Sequence, residues 1–445
     1  MRLPQTLQSK PGNHRFRDNN QANIQNSVSF SSLIASVGHG SGRAHLNNVP
    51  EYTDLSTVIY VWGENPGLSE QGSGRSRSEY WNATIYRNLS DVKILEVSCS
   101  ESHIFFLTSS RKLYTVGHGE YGQLGVNEGV VHVSEPTLLE RISDVKQVCC
   151  GKFHSVALTA DGHLLSWGRN DFSGHSSGFA TFVPREILTN EESSPGVRIS
   201  CLSVCASDHQ TIAVCEGGRV LYIWGIAFNG DRIPRPKVFY AFSDARIRHI
   251  GVGSYFALAL SECGRVFNCG DGTYGEIYSS SSITNSTPIF TPIKHTLVKH
   301  IEKIAVGARH ALLMDENKNV IALGDNNYGQ CAAPQSHHTA PVVVEFSEGN
   351  FPPKAIYAGT RTSACINSGN QLYIWGHSSN HKLIFTSSVD ILIQQQKQPG
   401  VSIISGYKNS VPEPRLIYSL LQEKITCVGL GPNYTVVVSG EGNVN

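Results

Sequence analysis

An apolar run that closes on a glycine recurs along this chain, at Gly63, Gly117, Gly168, Gly225, Gly270, Gly324 and Gly376. Successive closures lie between 45 and 57 residues apart. A period of this size means one supersecondary unit used repeatedly, each copy burying its apolar face on the next. The clearest copy is Gly151 to Gly168, which reads GKFHSVALTADGHLLSWG. Ser155 to Leu158 suit a half-buried strand, and His163 to Trp167 form a second apolar run. Between them Thr159-Ala-Asp-Gly162 supplies turn chemistry, because Asp and Gly tolerate positive φ. In five of six such units, 14 residues separate the fourth residue of the G-x-x-H stretch from the closing glycine; the third gives 16.

After each closing glycine a loop leads to a short segment near a proline, at Pro136, Pro184, Pro236, Pro288, Pro341 and Pro414. Proline in a sheet is confined to edges and strand starts, so each unit reads as four strands with one at an edge. Four-stranded sheets repeated about an axis are propeller blades. The last unit, Cys427 to Tyr434 and TVVVSG, lacks its final apolar run and glycine. The orphan Val58-Ile-Tyr-Val-Trp-Gly63 near the front has the form of that missing piece. The expectation is therefore an all-β, seven-bladed propeller of four-stranded blades, closed by an N-terminal strand that completes the C-terminal blade.

Residues 1–54 read as a flexible tail and 55–445 as the propeller, with a polar insertion at about 378–412. The first 50 residues hold five basic residues and one acid, Asp18. That bias leaves a mitochondrial transit peptide open beside a plain tail, although Pro4 and Pro11 interrupt an amphipathic helix. Lys and Arg together number 36, as do Asp and Glu, so no strong nucleic-acid signal exists. No apolar run approaches the ~18 residues of a membrane helix. The 11 cysteines include no C-x-x-C pair, and several fall on apolar repeat positions. They read as small buried hydrophobes in a reducing compartment.

The units resemble the repeats of the regulator of chromosome condensation family. The pattern G-x-x-H, L-T-x-x-G-x-L-Y-x-W-G, x-N-x-Y-G-Q-L-G is matched almost fully from His103 to Gly125. It is matched strongly in Gly151 to Gly168 and Gly307 to Gln330. The resemblance implies a seven-bladed binding platform, whose founding member is a nucleotide exchange factor for the small GTPase Ran. It implies a small GTPase or another protein as partner, a monomeric chain, and a cytoplasmic or nuclear location with a mitochondrial alternative. Exchange activity or a scaffold role in trafficking, cytoskeletal or ubiquitin pathways are both within the family's range. In the founding factor, acidic and His side chains of the G-x-x-H loops and a wedge after the third blade's glycine face the GTPase. Asp208-His209 matches its Asp-His pair, whereas Lys152 reverses an acidic position. Arg169-Asn-Asp-Phe-Ser-Gly174 is the candidate wedge.

His103, His154, His209 and His310 share one repeat position, and Trp62, Trp167, Trp224 and Trp375 share another. Repetition around a ring points to a shared structural job, such as tying neighbouring blades. No G-x-S-x-G motif or phosphate loop appears, so no catalytic residue, metal site or cofactor is assigned. The candidate partner-binding residues are the charges that differ between units: Glu101, Lys152, Asp171, Asp208, Arg309 and Arg361.

Overall fold

A computed structural model describes residues 57–64, 67, 79–89, 92–175, 178–188, 198–273, 278–279, 282–283, 286–333, 338–347, 351–379, 382–383 and 410–440. The tail assigned to 1–54 and most of the insertion assigned to 378–412 lie outside them. The described chain forms seven four-stranded antiparallel sheets, with one additional two-stranded ribbon, Tyr278–Ser279 with Ser282–Ile283. The innermost strands pack in cyclic order, from blade 1 to blade 7 and back to blade 1, so the sheets form a closed ring.

Blades 1 to 6 span 94–138, 145–186, 201–241, 247–292, 301–343 and 353–416, and each runs from inside to outside in chain order. Blade 2 shows the pattern: Val145–Cys150 innermost, then His154–Thr159, Leu164–Arg169 and Ala180–Glu186. The prolines noted above all fall on outermost strands. Blade 7 is assembled from both ends of the described chain. Ile425–Leu430 and Tyr434–Gly440 are its inner strands, and Thr57–Glu64 and Glu79–Leu89 are its outer ones. Thr57 to Gly63 pair residue by residue with Gly440 to Tyr434. The outermost strand Glu79–Leu89 has no proline and was not among the sequence expectations.

The closing glycine has a steric origin. Gly168 sits at φ 104° opposite His154, and a Cβ there would lie 2.5 Å from the Phe153 carbonyl oxygen. Gly63, Gly225, Gly270, Gly324 and Gly376 meet the same obstruction in their own blades. Only glycine accepts both the left-handed backbone and the close approach of the neighbouring loop.

The tryptophans fill the spaces between blades. Trp62, Trp167, Trp224 and Trp375 are each 0% exposed. Trp167 of blade 2 meets Phe105 of blade 1 edge-on, with ring centroids 5.6 Å apart. The loop of blade 1 then latches this ring: the Gln123 carbonyl accepts from Trp167 Nε1 at 2.8 Å and from Ser155 Oγ at 2.9 Å. Between blades 5 and 6, the Gln330 carbonyl accepts from Trp375 Nε1 and Ser363 Oγ. Between blades 6 and 7, the Lys382 carbonyl accepts from Trp62 Nε1 and Thr435 Oγ1. Lys382, placed by sequence in the polar insertion, is thus buried as the counterpart of Gln123. Burial pulls its ammonium down to about 7, and Nζ donates to the Pro432 carbonyl.

The repeat histidines tie blades from the same side. His103 Nε2 and Ser155 Oγ are 3.0 Å apart. Because Ser155 donates its hydroxyl to Gln123, His103 Nε2–H is the donor, and Nδ1 accepts from Ser100 Oγ. His154 bonds Thr211 and His310 bonds Ser363 in the following blades. In blade 7, Tyr434 takes this position and its hydroxyl donates to the Ser100 carbonyl of blade 1.

Two expectations need correction. In blade 3, Gln210 rather than His209 lies opposite the closing glycine, Gly225. The hairpin there is one residue longer, turning through Glu216–Gly218, so His209 moves out to the exposed loop. The cysteines are not all free: Cys201 and Cys215 form a disulfide. They stand opposite each other on adjacent antiparallel strands, a relation visible only once the register is set.

Candidate functional site

In each blade the loop between the first and second strands and the loop between the third and fourth emerge at the same face. The closing glycine ends its strand opposite the residue that begins the second strand, which forces this arrangement. Glu101, Lys152, Asp208, Arg309 and Arg361 occupy loops of the first kind; Asp171 occupies one of the second. All six therefore lie on one face. Two of them, Glu101 and Asp208, line the rim of a channel of about 350 Å³, together with Ala308, Thr360 and Pro432.

The structure joins several of these charges to one another. Lys152 Nζ lies 2.7 Å from the Glu101 carboxylate across the boundary between blades 1 and 2. The hydrogen bond it donates to that carboxylate holds the Lys152 ammonium above its ordinary range. The Lys152 backbone N–H donates to the Asp208 carbonyl, while the Asp208 residue is exposed. Arg309 lies over the Tyr255 ring at 4.4 Å and Arg361 over Tyr328 at 5.1 Å. These two sit on blades 5 and 6, across the channel from Lys152.

The densest group surrounds Arg169, at the end of a blade 2 strand. The chain turns there through a short helix, Asn170–Ser173, ended by Gly174 in the left-handed conformation. Arg169 pairs with Asp171 at 2.8 Å, and Arg232 of blade 3 reaches the other carboxylate oxygen at 3.7 Å. The Arg169 guanidinium lies within 6 Å of four ring centroids: Tyr121 at 5.7 Å, Phe153 at 5.8 Å, Phe172 at 5.3 Å and Phe179 at 5.9 Å. His209 packs against Phe153 and Phe172. Phe179 is 67% exposed, a large apolar ring with no burial to justify it. Sequence reasoning named Arg169 within the candidate wedge Arg169 to Gly174 but missed that Tyr121, Phe153, Phe179 and Arg232 gather around it. The available signal was Phe153 and Phe179, aromatic residues at loop positions where the repeat requires none, beside the repeat tyrosine Tyr121.

The histidines that tie the blades have little acid–base chemistry to offer. Burial pulls His103, His154 and His310 each down to about 3, so they are neutral near pH 7. Among the described residues, no group of three or more His, Cys, Asp and Glu side chains is placed to hold a metal. The face offers charge, cation–π stacking and exposed aromatic area, which are the means of protein recognition.

Fold and face together define a closed, repeat-built β-propeller that presents one loop surface around a central channel. The chain is an RCC1-type seven-bladed propeller. Family models of the Regulator of chromosome condensation (RCC1) repeat match residues 112–158, 145–173 and 301–330. The human E3 ubiquitin-protein ligase HERC2 is 26% identical over 415 residues, covering 88% of this chain but only 8% of that protein. The Ultraviolet-B receptor UVR8 of Arabidopsis thaliana is 26% identical over 346 residues, covering 75% of this chain and 76% of the receptor. Prp20p of Saccharomyces cerevisiae, studied for its binding to Gsp1p and histones, superposes with a TM-score of 0.68 at 14% identity, covering 88% of this chain and 93% of that one.

Proposed function

We propose that this chain is a protein-interaction propeller that binds and regulates a small GTPase through the loop face of blades 1 to 3. The observation that carries the reading is the Arg169 group. It joins an exposed aromatic ring, a guanidinium and the Asp171–Arg232 pair in one patch beside Asp208 and the Lys152–Glu101 bridge. Aromatic and Arg side chains in a central patch ringed by polar groups match the composition of binding hot spots. The resemblance to the regulator of chromosome condensation family supplies the partner class. The Gsp1p-binding properties of Prp20p lend support through shared fold.

Regulation would follow from differential binding. A surface that holds the nucleotide-free GTPase more tightly than the loaded form lowers the GTPase's affinity for nucleotide, whatever its detailed contacts. A scaffold role is the second reading. It is favoured by the pairing of Lys152 with Glu101 within the chain, which uses up charge a partner would otherwise meet.

Capture of purified GTPases by the intact chain, with release of labelled GDP measured in parallel, tests both. The expected result is a complex with at least one nucleotide-free GTPase and faster GDP release. The Arg169→Ala, Phe179→Ala double variant should weaken that complex by about tenfold or more, the loss typical of a hot-spot residue. Complex formation with unchanged GDP release would leave the scaffold reading. Absence of any complex across the panel would overturn the GTPase assignment.

A further inference from the structure

The channel wall holds a feature that the loop face does not use. Cys149 and Cys205 occupy the same position, the fifth residue, of the innermost strands of adjacent blades, Val145–Cys150 and Cys201–Ala206. Ring geometry therefore sets them side by side. Both line the channel and both are partly exposed within it. Cys149 Sγ donates to the Val204 carbonyl at 3.3 Å, one residue before Cys205, and Gln147 Oε1 accepts from the Val204 N–H at 3.1 Å. Those two contacts fix the strands in register.

The fold does not need sulfur at this position. Blades 1, 4, 5, 6 and 7 place Ser98, Gly251, Ala305, Tyr357 and Gly429 there. The position accepts side chains from glycine to tyrosine, so packing alone does not account for two neighbouring thiols. Cys201, on the same strand, is already paired with Cys215 and is out of play.

We propose that Cys149 and Cys205 form a redox-active dithiol that a small hydroperoxide entering the channel oxidises to an inter-blade disulfide. Its interaction with the neighbouring Cys149 side chain holds the Cys205 thiol below its ordinary range, which makes Cys205 the attacking sulfur. Its thiolate attacks one peroxide oxygen, the O–O bond breaks, and an alcohol leaves, or water when the oxidant is hydrogen peroxide. Cys205 becomes a sulfenic acid. The Cys149 sulfur then attacks the Cys205 sulfur, the S–O bond breaks, and the oxygen leaves as water with the Cys149 proton. Two thiols and one hydroperoxide thus give one disulfide, one alcohol and one water, with two electrons passed to the peroxide. The new bond would join blades 2 and 3 directly beneath the loops that carry Lys152 and Asp208.

Peptide mapping of the intact chain tests this. Trypsin releases Gln147 to Lys152, with Cys149 and Cys150, and Ile199 to Arg219, with Cys201, Cys205 and Cys215. After treatment with equimolar hydrogen peroxide and blocking of free thiols, these two peptides should appear linked. Two free thiols per chain should be lost. Fragment ions should place the link at Cys149 and Cys205, and Cys150→Ser should retain it. Cys149→Ser should stop at a Cys205 sulfenic acid that dimedone traps. A link through Cys150, or peroxide-treated wild-type chain with Cys149 and Cys205 both still free, would overturn the proposal. The wild-type digest decides the matter even if a variant fails to fold.

Discussion

Trp62→Ala should destabilise the propeller by about 3–5 kcal/mol, the usual cost of truncating a fully buried tryptophan. Trp62 is 0% exposed and lies on Thr57–Glu64, the strand that pairs on one side with Tyr434–Gly440 and on the other with Glu79–Leu89. Its Nε1 donates to the Lys382 carbonyl at 2.7 Å, so the substitution removes a latch as well as a ring. The Lys382 carbonyl would keep only its bond from Thr435. A loss at this position should also be felt beyond its own blade, because blade 7 is the one sheet built from both ends of the described chain. Urea unfolding followed by tryptophan-independent circular dichroism measures it. Phe179→Ala, at an exposed ring, provides the contrast and should shift stability by no more than about 0.5 kcal/mol. Equal effects from the two substitutions would contradict closure through Thr57–Glu64.

The second large effect is a loss of stability in acid, beginning well above the carboxylate range. His103, His154 and His310 are held at about 3 by burial, against an ordinary value of 6.5. Folded-state values lie below unfolded ones, so the unfolded chain binds more protons between pH 6.5 and pH 3. Their contribution is complete above pH 6.5 and is lost as pH falls towards 3. Each histidine gives a slope of up to about 1.4 kcal/mol per pH unit, so the three together give about 4 kcal/mol per unit near pH 4.5. Urea midpoints at pH 7, 6 and 5 would trace the onset. His310→Gln borrows the residue that blade 3 already uses at Gln210. It should remove about a third of the slope while leaving pH 7 stability less affected. A flat profile from pH 7 to pH 5 would show that these rings protonate in the folded state.

Much of the architecture was legible in the sequence because steric demands repeat. The closing glycine recurs because the carbonyl before the second strand lies against it in blade after blade. The orphan Val58 to Gly63 could be placed because blade 7 otherwise lacked a third strand. Elements without a repeated demand were hidden. The outermost strand Glu79–Leu89 carries no proline to mark it. Lys382 concealed a latch because its backbone carbonyl does the work that Gln123 and Gln330 do elsewhere, while its side chain differs. One extra residue in the Glu216–Gly218 hairpin disguised Gln210 as the register position and made His209 appear to fill it.

The site was harder to read for a different reason. Each candidate charge was visible singly, but its meaning depends on partners from other blades. Lys152 is a reversed charge in sequence and one half of a bridge to Glu101 in space. Arg169 gathers Phe172 and Phe179 from the loop it opens, Phe153 from a second loop of its blade and Tyr121 from blade 1, so no single local motif announces the group. Cys149 and Cys205 are 56 residues apart in sequence yet equivalent in adjacent blades.

The central claim is that the loop face of blades 1 to 3 is where a protein partner binds. Hydrogen–deuterium exchange of the intact chain, alone and with a captured nucleotide-free GTPase, tests this most directly. The account predicts slower exchange on binding in residues 100–103, 151–154, 169–174 and 207–210, with the outermost strands Ala180–Glu186 and Arg232–Ala241 unchanged along their solvent edges. Protection confined to the outermost strands, with the loop face exchanging as in the free chain, would contradict it.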